Sequence, residues 1–155
     1  MYLDGDEVRK TLSHDLGFSL EDRRENLRRI AKEAIAQSKS AQAIFISAIT
    51  PLQSQREMVR QLIEEAGLCF SLVYVNTSLA TCMQRDVKGM YAKAKRGEIF
   101  EFTGIDSPFE PPTDANYILA TEHTSIEDTV SQFCRQAGFT IKSSPHKECD
   151  SFQDR

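Results

Sequence analysis

Short apolar runs alternate with helical patterns along this chain, and this alternation constrains the fold more than any other feature. The run AIFISAI at residues 43–49 is almost unbroken, which is typical of a strand covered on both faces of a sheet. Other strands are predicted at residues 2–3, 69–75 and 117–120. Strands that alternate with helices predict an α/β fold with a parallel sheet and right-handed crossovers.

The helices are predicted from apolar spacing and from their start signals. Ser19 is followed by Asp22, a capping-box-like start for a helix that runs to about Gln37. Gly67 ends a later helix. The other predicted helices cover residues 7–12, 53–66, 78–85 and 125–137. Residues 87–112 mix bases, glycines and aromatics without a clean period, and they are predicted to form a lid or loop.

Length and charge favour one compact domain without a general affinity for nucleic acid. The chain has 155 residues, 40% of them apolar and 27% charged, which is ordinary for a globular protein. Its net charge of −4 gives no basic field that would hold nucleic acid or an anionic membrane. Any anion site is therefore local. The domain is predicted to span residues 1–141, and residues 142–155 form a polar C-terminal tail.

The cysteines and histidines indicate neither a disulfide framework nor a metal site. Cys69, Cys82 and Cys134 lie among apolar neighbours and are predicted to be buried free thiols, which favours a reducing compartment. No apolar run approaches the roughly 18 residues of a membrane helix, and no signal-peptide pattern begins the chain. A cytoplasmic location is expected. The three histidines are too scattered for metal ligands.

Charged and polar residues that follow the predicted strands are candidates for a site. Asp4 and Asp6 flank a glycine at a strand end, where two carboxylates can position a metal-bound phosphate or accept a proton; the alternative is a simple turn. Arg23 and Asn26 share a helix face near its N-terminus, and with Arg9 they are candidates for an anion site. The alternative is a solvated charged face.

Two aromatic residues are candidates for holding a planar base. Phe102 precedes a Thr-Gly turn and Phe18 follows a Leu-Gly turn, so the two rings are placed to stack on a purine. The alternative is that both rings belong to the core. Lys88 lies in the predicted lid. Arg85 begins it, and there it either contacts ATP or forms an ion pair with Asp86 or Glu98.

Four segments stand together in an order and spacing that resemble the adenylyl-sulfate kinases. They are LDGDEVR, LGFSLEDRRENLRR, QRDVKGMYAKAKRGEI and FTGIDSPFEPP, and the similarity covers roughly residues 2–138. The resemblance implies a P-loop kinase fold, usually a dimer. It implies an enzyme of sulfate activation that uses ATP and Mg²⁺ to phosphorylate the 3′-hydroxyl of adenosine 5′-phosphosulfate.

The resemblance also implies a role for individual residues. It assigns Asp4 to the catalytic acidic position and Arg85 to the region that meets ATP. The positions that it assigns to the phosphosulfate nucleotide are Asp6, Arg9, Phe18, Arg23, Asn26, Ile49, Thr50, Lys88 and Phe102. Thr50 stands where the family commonly has serine. Glu101 places a negative charge near an anionic substrate, which is expected to weaken binding unless its side chain points away.

The main departure from the family is at the start of the fold. Such kinases begin with a strand, a GxxxxGK[ST] loop whose amides and lysine cradle phosphates, and a helix. Gly-Lys-Ser and Gly-Lys-Thr do not occur in the 155 residues. Little or no kinase activity is therefore expected of this chain alone, and the edges of strands next to the missing central strand are expected to be unpaired.

Three explanations for this departure stay open. The first is a fragment of a longer protein or a misjudged gene start. The second is a relative without a P-loop that binds the nucleotide without phosphorylating it, as a sensor or regulatory subunit. The third is a decayed copy without function.

Overall fold

Parallel strands and helices alternate along residues 1–140, the part of the chain that the structure, a computed structural model, describes. The predicted α/β class is therefore confirmed. The predicted tail at residues 142–155 lies outside the described residues. The elements are β1 (Tyr2–Asp4), α1 (Gly5–Lys10), α2 (Leu20–Gln37), β2 (Phe45–Ser47), α3 (Gln53–Glu65), β3 (Val73–Asn76), α4 (Leu79–Arg85), α5 (Met90–Lys95), β4 (Tyr117–Ala120) and α6 (Ile126–Ala137).

The strands form two separate parallel pairs. β1 pairs with β2, with Asp4 opposite Ser47, and β3 pairs with β4. Within residues 1–140, β2 and β3 share no ladder, so the expectation of unpaired strand edges near the middle of the sheet is confirmed. The prediction that residues 43–49 form a strand covered on both faces is wrong. Only Phe45–Ser47 form a strand, and Phe45 and Ile46 are 43% and 37% exposed, because a two-stranded sheet leaves its outer edge and one face open.

Serine caps fix where three of the helices begin. The Ser19 hydroxyl oxygen accepts the Asp22 amide N–H at 3.1 Å, as the capping pattern predicted. Ser78 and Ser125 cap α4 and α6 in the same way. Each bond satisfies one of the amides that a first helical turn leaves without a partner. These local signals account for the close agreement between predicted and observed helix starts.

The main core lies where α2 packs against α3. Its buried members are Leu27, Ala31, Ala34, Val59 and Ile63. Ala31 is completely buried, and its small side chain lets the two helices approach closely. Leu3, Ile44 and Ala48 add the inner face of the β1–β2 pair to this core.

An aromatic cluster joins the two strand pairs. The Phe45 ring on β2 lies 6.3 Å from the Phe133 ring on α6, and Phe133 lies 5.3 Å from Tyr117 on β4. Edge-on contacts of this kind are favourable geometries for aromatic pairs. The cluster therefore connects the two strand pairs through side chains, although they share no backbone ladder.

The lid segment, residues 87–112, is more ordered than its sequence predicted. It contains α5, which the aperiodic pattern did not reveal. The Asp86 carboxylate accepts the amide N–H groups of Tyr91 and Ala92 at 2.9 and 3.0 Å and so supplies the start signal for that helix. At the other end, Glu110 accepts the Gln53 amide N–H at 2.6 Å. Hydrogen bonds to residues outside the lid segment thus hold it near both of its ends.

The cysteines differ from their prediction in burial. Cys69, Cys82 and Cys134 are free thiols, but Cys69 is exposed and the other two are half-buried. Cys69 is exposed because it lies before β3 rather than inside the longer strand that the sequence predicted. Among the helices of residues 1–140, none has the length and apolar character that a membrane span needs.

Candidate functional site

A cavity of about 1020 Å³ lies beyond the carboxyl ends of β1, β2 and β3, under the lid segment. Gly5, Ile49 and Thr77, each just past a strand end, contribute to its wall. This is the edge of a parallel sheet at which ligands bind, and the volume suits a molecule of nucleotide size. The predicted site residues that line this cavity are Asp6, Arg9, Phe18, Arg23, Asn26, Ile49 and Phe102.

Two of the residues that line the cavity are arginines. The Arg9 guanidinium lies 4.5 Å from the centre of the Phe18 ring and donates to the Gly17 carbonyl at 2.8 Å. Burial lowers the Arg9 pKa, and the nearby positive charge of Arg23 lowers it further. Two cations that repel each other in one cavity favour the binding of an anion.

Arg23 ties together the two loops that carry the phenylalanines. Its Nε donates to the Phe18 carbonyl at 2.8 Å, and Nη1 donates to the Thr103 hydroxyl at 2.9 Å. Nη2 donates to the Glu101 carbonyl. The sequence predicted Arg23 as an anion contact but gave no sign of this bridge, since its partners lie 78 and 80 residues away. One guanidinium thus helps to set the relative position of the two rings.

The Phe102 ring is held at the cavity wall from two sides. It meets the Tyr91 ring nearly edge-on, at 5.0 Å between centroids. The Asp106 carboxylate accepts the amide N–H groups of Glu101 and Phe102 at 2.8 and 2.5 Å, which closes the turn. Phe18 is 61% exposed, so its interpretation as a core residue is wrong. Both rings offer apolar surface on which a planar base can stack.

Asn26 contributes a buried acceptor. Its side chain is only 5% exposed, yet its Oδ1 has no hydrogen-bond partner among the described residues. A buried polar atom without a partner is costly and uncommon. Because Asn26 lines the cavity, a donor group on a ligand can satisfy this atom.

Lys88 and Asp6 form an ion pair that links the lid segment to α1. The Lys88 Nζ lies 2.7 Å from the Asp6 Oδ2, and this hydrogen bond raises the Lys88 pKa. Both side chains are exposed, so the pair contributes little to stability. It can therefore open readily when a ligand enters.

Asp4 lies beside the cavity and is not among the residues that line it. Its Oδ1 accepts the amide N–H groups of Asp6 and Glu7 at 2.8 and 3.4 Å and so caps α1. Its Oδ2 accepts the Tyr2 hydroxyl at 2.7 Å and the Ser47 hydroxyl at 3.3 Å. The Tyr2 bond is the largest of the contacts that lower the Asp4 pKa.

Thr50 and Arg85 also lie outside the cavity lining. The Thr50 carbonyl accepts a hydrogen bond from Arg56 at 2.7 Å. Arg85 donates to the Thr121 carbonyl at 2.8 Å, at the end of β4. A second cavity of about 240 Å³ lies there, lined by Asn76, Ser78, Ala120, Glu122, His123 and Thr124.

The alternative of an ion pair for Arg85 is wrong. Within residues 1–140, Arg85 pairs with neither of the predicted acids, since Asp86 caps α5 and Glu98 pairs with Arg96 at 2.5 Å. Sequence reasoning assigned no individual role to Tyr2, Ser47 or Thr103. For Tyr2 a signal existed, because residues two apart on a strand share a face. No comparable signal linked Ser47 to Asp4 or Thr103 to Arg23.

Glu101 holds a backbone conformation that asparagine tolerates better. Its φ is +56°, a region that costs most side chains roughly 1–2 kcal/mol and in which asparagine is enriched. Glu101→Asn is expected to raise the free energy of unfolding by about 0.5–1 kcal/mol, because it relieves part of that backbone cost, and urea denaturation measures the change. Glu101→Gln removes the same charge without easing the backbone, and an equal gain in that variant would contradict the explanation.

The strand pairs, their flanking helices and the cavity beyond the strand ends define an α/β protein of the P-loop kinase fold. The structure of the Mycobacterium tuberculosis APS kinase in complex with AMPPNP and APS matches with a TM-score of 0.85 at 39% identity, over 88% of this chain and 79% of that one. The adenylylsulphate kinase family model matches residues 1–120. The chain belongs to this family.

Curated relatives support the same assignment. The adenylyl-sulfate kinase of Vibrio cholerae is 47% identical over 135 residues, which cover 87% of this chain and 61% of the relative. That of Bacillus licheniformis is 47% identical over 130 residues, covering 84% of this chain and 65% of the relative. The chain thus spans a little under two thirds of the length of these two proteins.

The described residues alone do not fit a nucleoside triphosphate with its magnesium ion. The 155 residues contain no GxxxxGK[ST] sequence to cradle the phosphates. Within residues 1–140, no three histidine, cysteine or acidic side chains are grouped to hold a metal.

Proposed function

We propose that this chain binds adenosine 5′-phosphosulfate in the large cavity, as the acceptor site of an adenylyl-sulfate kinase. The enzyme transfers a phosphoryl group from ATP to the 3′-hydroxyl and forms 3′-phosphoadenylyl sulfate. One observation carries the proposal: Arg9 and Arg23 line the same cavity as Phe18 and Phe102. A ligand that combines an aromatic base with an anionic group matches both features.

Each part of the nucleotide has a counterpart in the cavity. The adenine stacks on Phe18 and Phe102, which is worth about 1–3 kcal/mol per stacked base. The phosphosulfate lies near Arg9 and Arg23, whose planar guanidinium groups suit oxyanions. The Asn26 Oδ1 accepts a hydrogen bond from a donor group of the ligand. Ile49 supplies apolar wall.

The remaining assignments rest on the resemblance and on location near the cavity. Lys88 reaches the ligand from the lid segment when its pair with Asp6 opens, and Thr50 contributes from the loop after β2. Asp4 is the catalytic carboxylate, which accepts a hydrogen bond from the 3′-hydroxyl. Its lowered pKa suits a group that remains ionised as the acceptor approaches. Arg85 belongs to the region that meets ATP.

A non-catalytic nucleotide-binding module is the second candidate. It is favoured by one observation: the two arginines and two phenylalanines line one cavity, whereas the 155 residues carry no phosphate-cradling motif. Both candidates require adenosine 5′-phosphosulfate to bind without ATP. They differ in turnover when ATP and Mg²⁺ are added.

The test is titration calorimetry of the 155-residue chain with adenosine 5′-phosphosulfate, without ATP. We expect saturable binding that weakens as salt is added, because the anion is held by arginines. Adenosine 5′-monophosphate is the matched control, and it is expected to bind more weakly because it lacks the sulfate. A chain that is folded but shows no binding to the phosphosulfate would contradict the proposal.

Turnover separates the two candidates. Little or no phosphorylation is expected of the 155-residue chain in the presence of ATP and Mg²⁺. Turnover at ordinary enzymatic rates would show that this chain is itself a kinase and would exclude the binding module.

A homodimer is proposed on the resemblance, and sedimentation of the same sample tests it. A cytoplasmic location is also proposed, because free cysteines are typical of a reducing compartment.

A further inference from the structure

Two hydroxyl groups meet at one oxygen of Asp4. Tyr2 and Asp4 are two apart on β1 and therefore share a face, and Ser47 lies opposite Asp4 on β2. The Tyr2 hydroxyl donates to the Asp4 Oδ2 at 2.7 Å, and it lies 2.8 Å from the Ser47 hydroxyl oxygen. The Ser47 hydroxyl reaches the same carboxylate oxygen at 3.3 Å.

We propose that Tyr2 and Ser47 are positioning residues for Asp4, whose Oδ2 they hold with a pair of hydroxyl groups. The importance of Asp4 for catalysis rests on the proposed function, whereas the contacts that fix its carboxylate do not. With Oδ1 bound to the amides of Asp6 and Glu7, the carboxylate is held at both oxygens. Its rotation is therefore restricted before any acceptor hydroxyl arrives.

The same contacts lower the pKa of Asp4. All the donors favour the ionised form, and the Tyr2 bond contributes most to lowering the Asp4 pKa. A carboxylate held in this way stays ionised at a lower pH than a free one. The charged groups that sense Asp4 are Lys10 on α1 and Lys88 on the lid segment.

The inference is tested by following the Asp4 side-chain carboxyl carbon by NMR while pH is varied. In the wild-type chain its midpoint is expected below the ordinary value of 3.8. Tyr2→Phe removes only the hydroxyl and is expected to move the midpoint up toward 3.8. A smaller upward shift is expected for Ser47→Ala, and Ser47→Thr is expected to restore the wild-type value because it keeps a hydroxyl.

Asp15 is the internal control for these titrations. Its carboxylate bonds to Arg29, which holds its pKa at about 2, and neither substitution touches that pair. An unmoved Asp4 midpoint in both Tyr2→Phe and Ser47→Ala would overturn the inference. A purely structural role for the Tyr2 ring predicts that result, because phenylalanine preserves the ring.

The result of the NMR titration does not depend on whether the proposed function is right. Calorimetry with adenosine 5′-phosphosulfate decides whether the nucleotide binds. The NMR titration decides whether the two hydroxyls govern the Asp4 carboxylate. Absent binding together with a shifted midpoint would refute the function and support the positioning role. Binding together with an unmoved midpoint would do the reverse.

Discussion

Arg23→Ala is expected to weaken the binding of adenosine 5′-phosphosulfate by about 1.5–3 kcal/mol, the range for hydrogen bonds to charged groups, which is roughly ten- to a hundredfold in Kd. The substitution removes one of the two cavity arginines. It also breaks the bonds from its guanidinium to Phe18, Thr103 and Glu101, so the two stacking rings lose their common tie. The measurement is calorimetry on the folded variant.

Two further variants distinguish the loss of positive charge from the loss of the hydrogen bonds that Arg23 donates. Arg23→Lys keeps the charge, but one ammonium group cannot reach all three acceptors in the fork geometry of arginine. Intermediate affinity is expected. Arg24→Ala is the matched control, since Arg24 is the exposed neighbour on α2 and does not line the cavity. Equal losses in Arg23→Ala and Arg24→Ala would mean that only overall charge matters.

Ile63→Ala is expected to lower the free energy of unfolding by about 2–5 kcal/mol, as for other large-to-small changes in a core. Ile63 is 7% exposed and belongs to the cluster between α2 and α3. A domain of this size is stable by only about 5–15 kcal/mol, so the variant loses a large share of its stability. Urea denaturation followed by circular dichroism measures the change.

Ile126→Ala is the control for that experiment. It makes the same chemical change on α6, where the side chain is 79% exposed, and surface changes of this kind usually stay within about 0.5 kcal/mol. Similar losses in the two variants would show that the interface between α2 and α3 is not the main source of stability.

The helices were largely predictable because their signals are local. Ser19, Ser78 and Ser125 each cap the helix that the pattern predicted. α5 was missed because its start signal, the Asp86 carboxylate, acts on amides five and six residues away and leaves no apolar period. Two of the four strands, predicted at residues 43–49 and 69–75, are shorter in the structure. An apolar run shows which residues a strand could bury, whereas the number of residues that pair depends on the neighbouring strand.

The residues of the candidate site were predictable from the sequence, whereas the hydrogen bonds between them were not. Arg9, Arg23, Phe18 and Phe102 were singled out from their residue types and from the resemblance, and they line one cavity. Their roles are still predictions. The bonds from Arg23 to the lid segment and from Ser47 to Asp4 join residues 43 or more positions apart, so no local pattern contains them.

The sequence by itself determined the helix starts, the parallel α/β class and the family, because each depends on residues close together in the chain or on motifs read in order. Only the tertiary structure decided that the strands form two separate pairs, that Phe45 is exposed, and which donors hold Asp4 and Arg23. The physical reason is that burial and hydrogen-bond partners are set by whichever distant segments the fold brings within a few ångströms of each other.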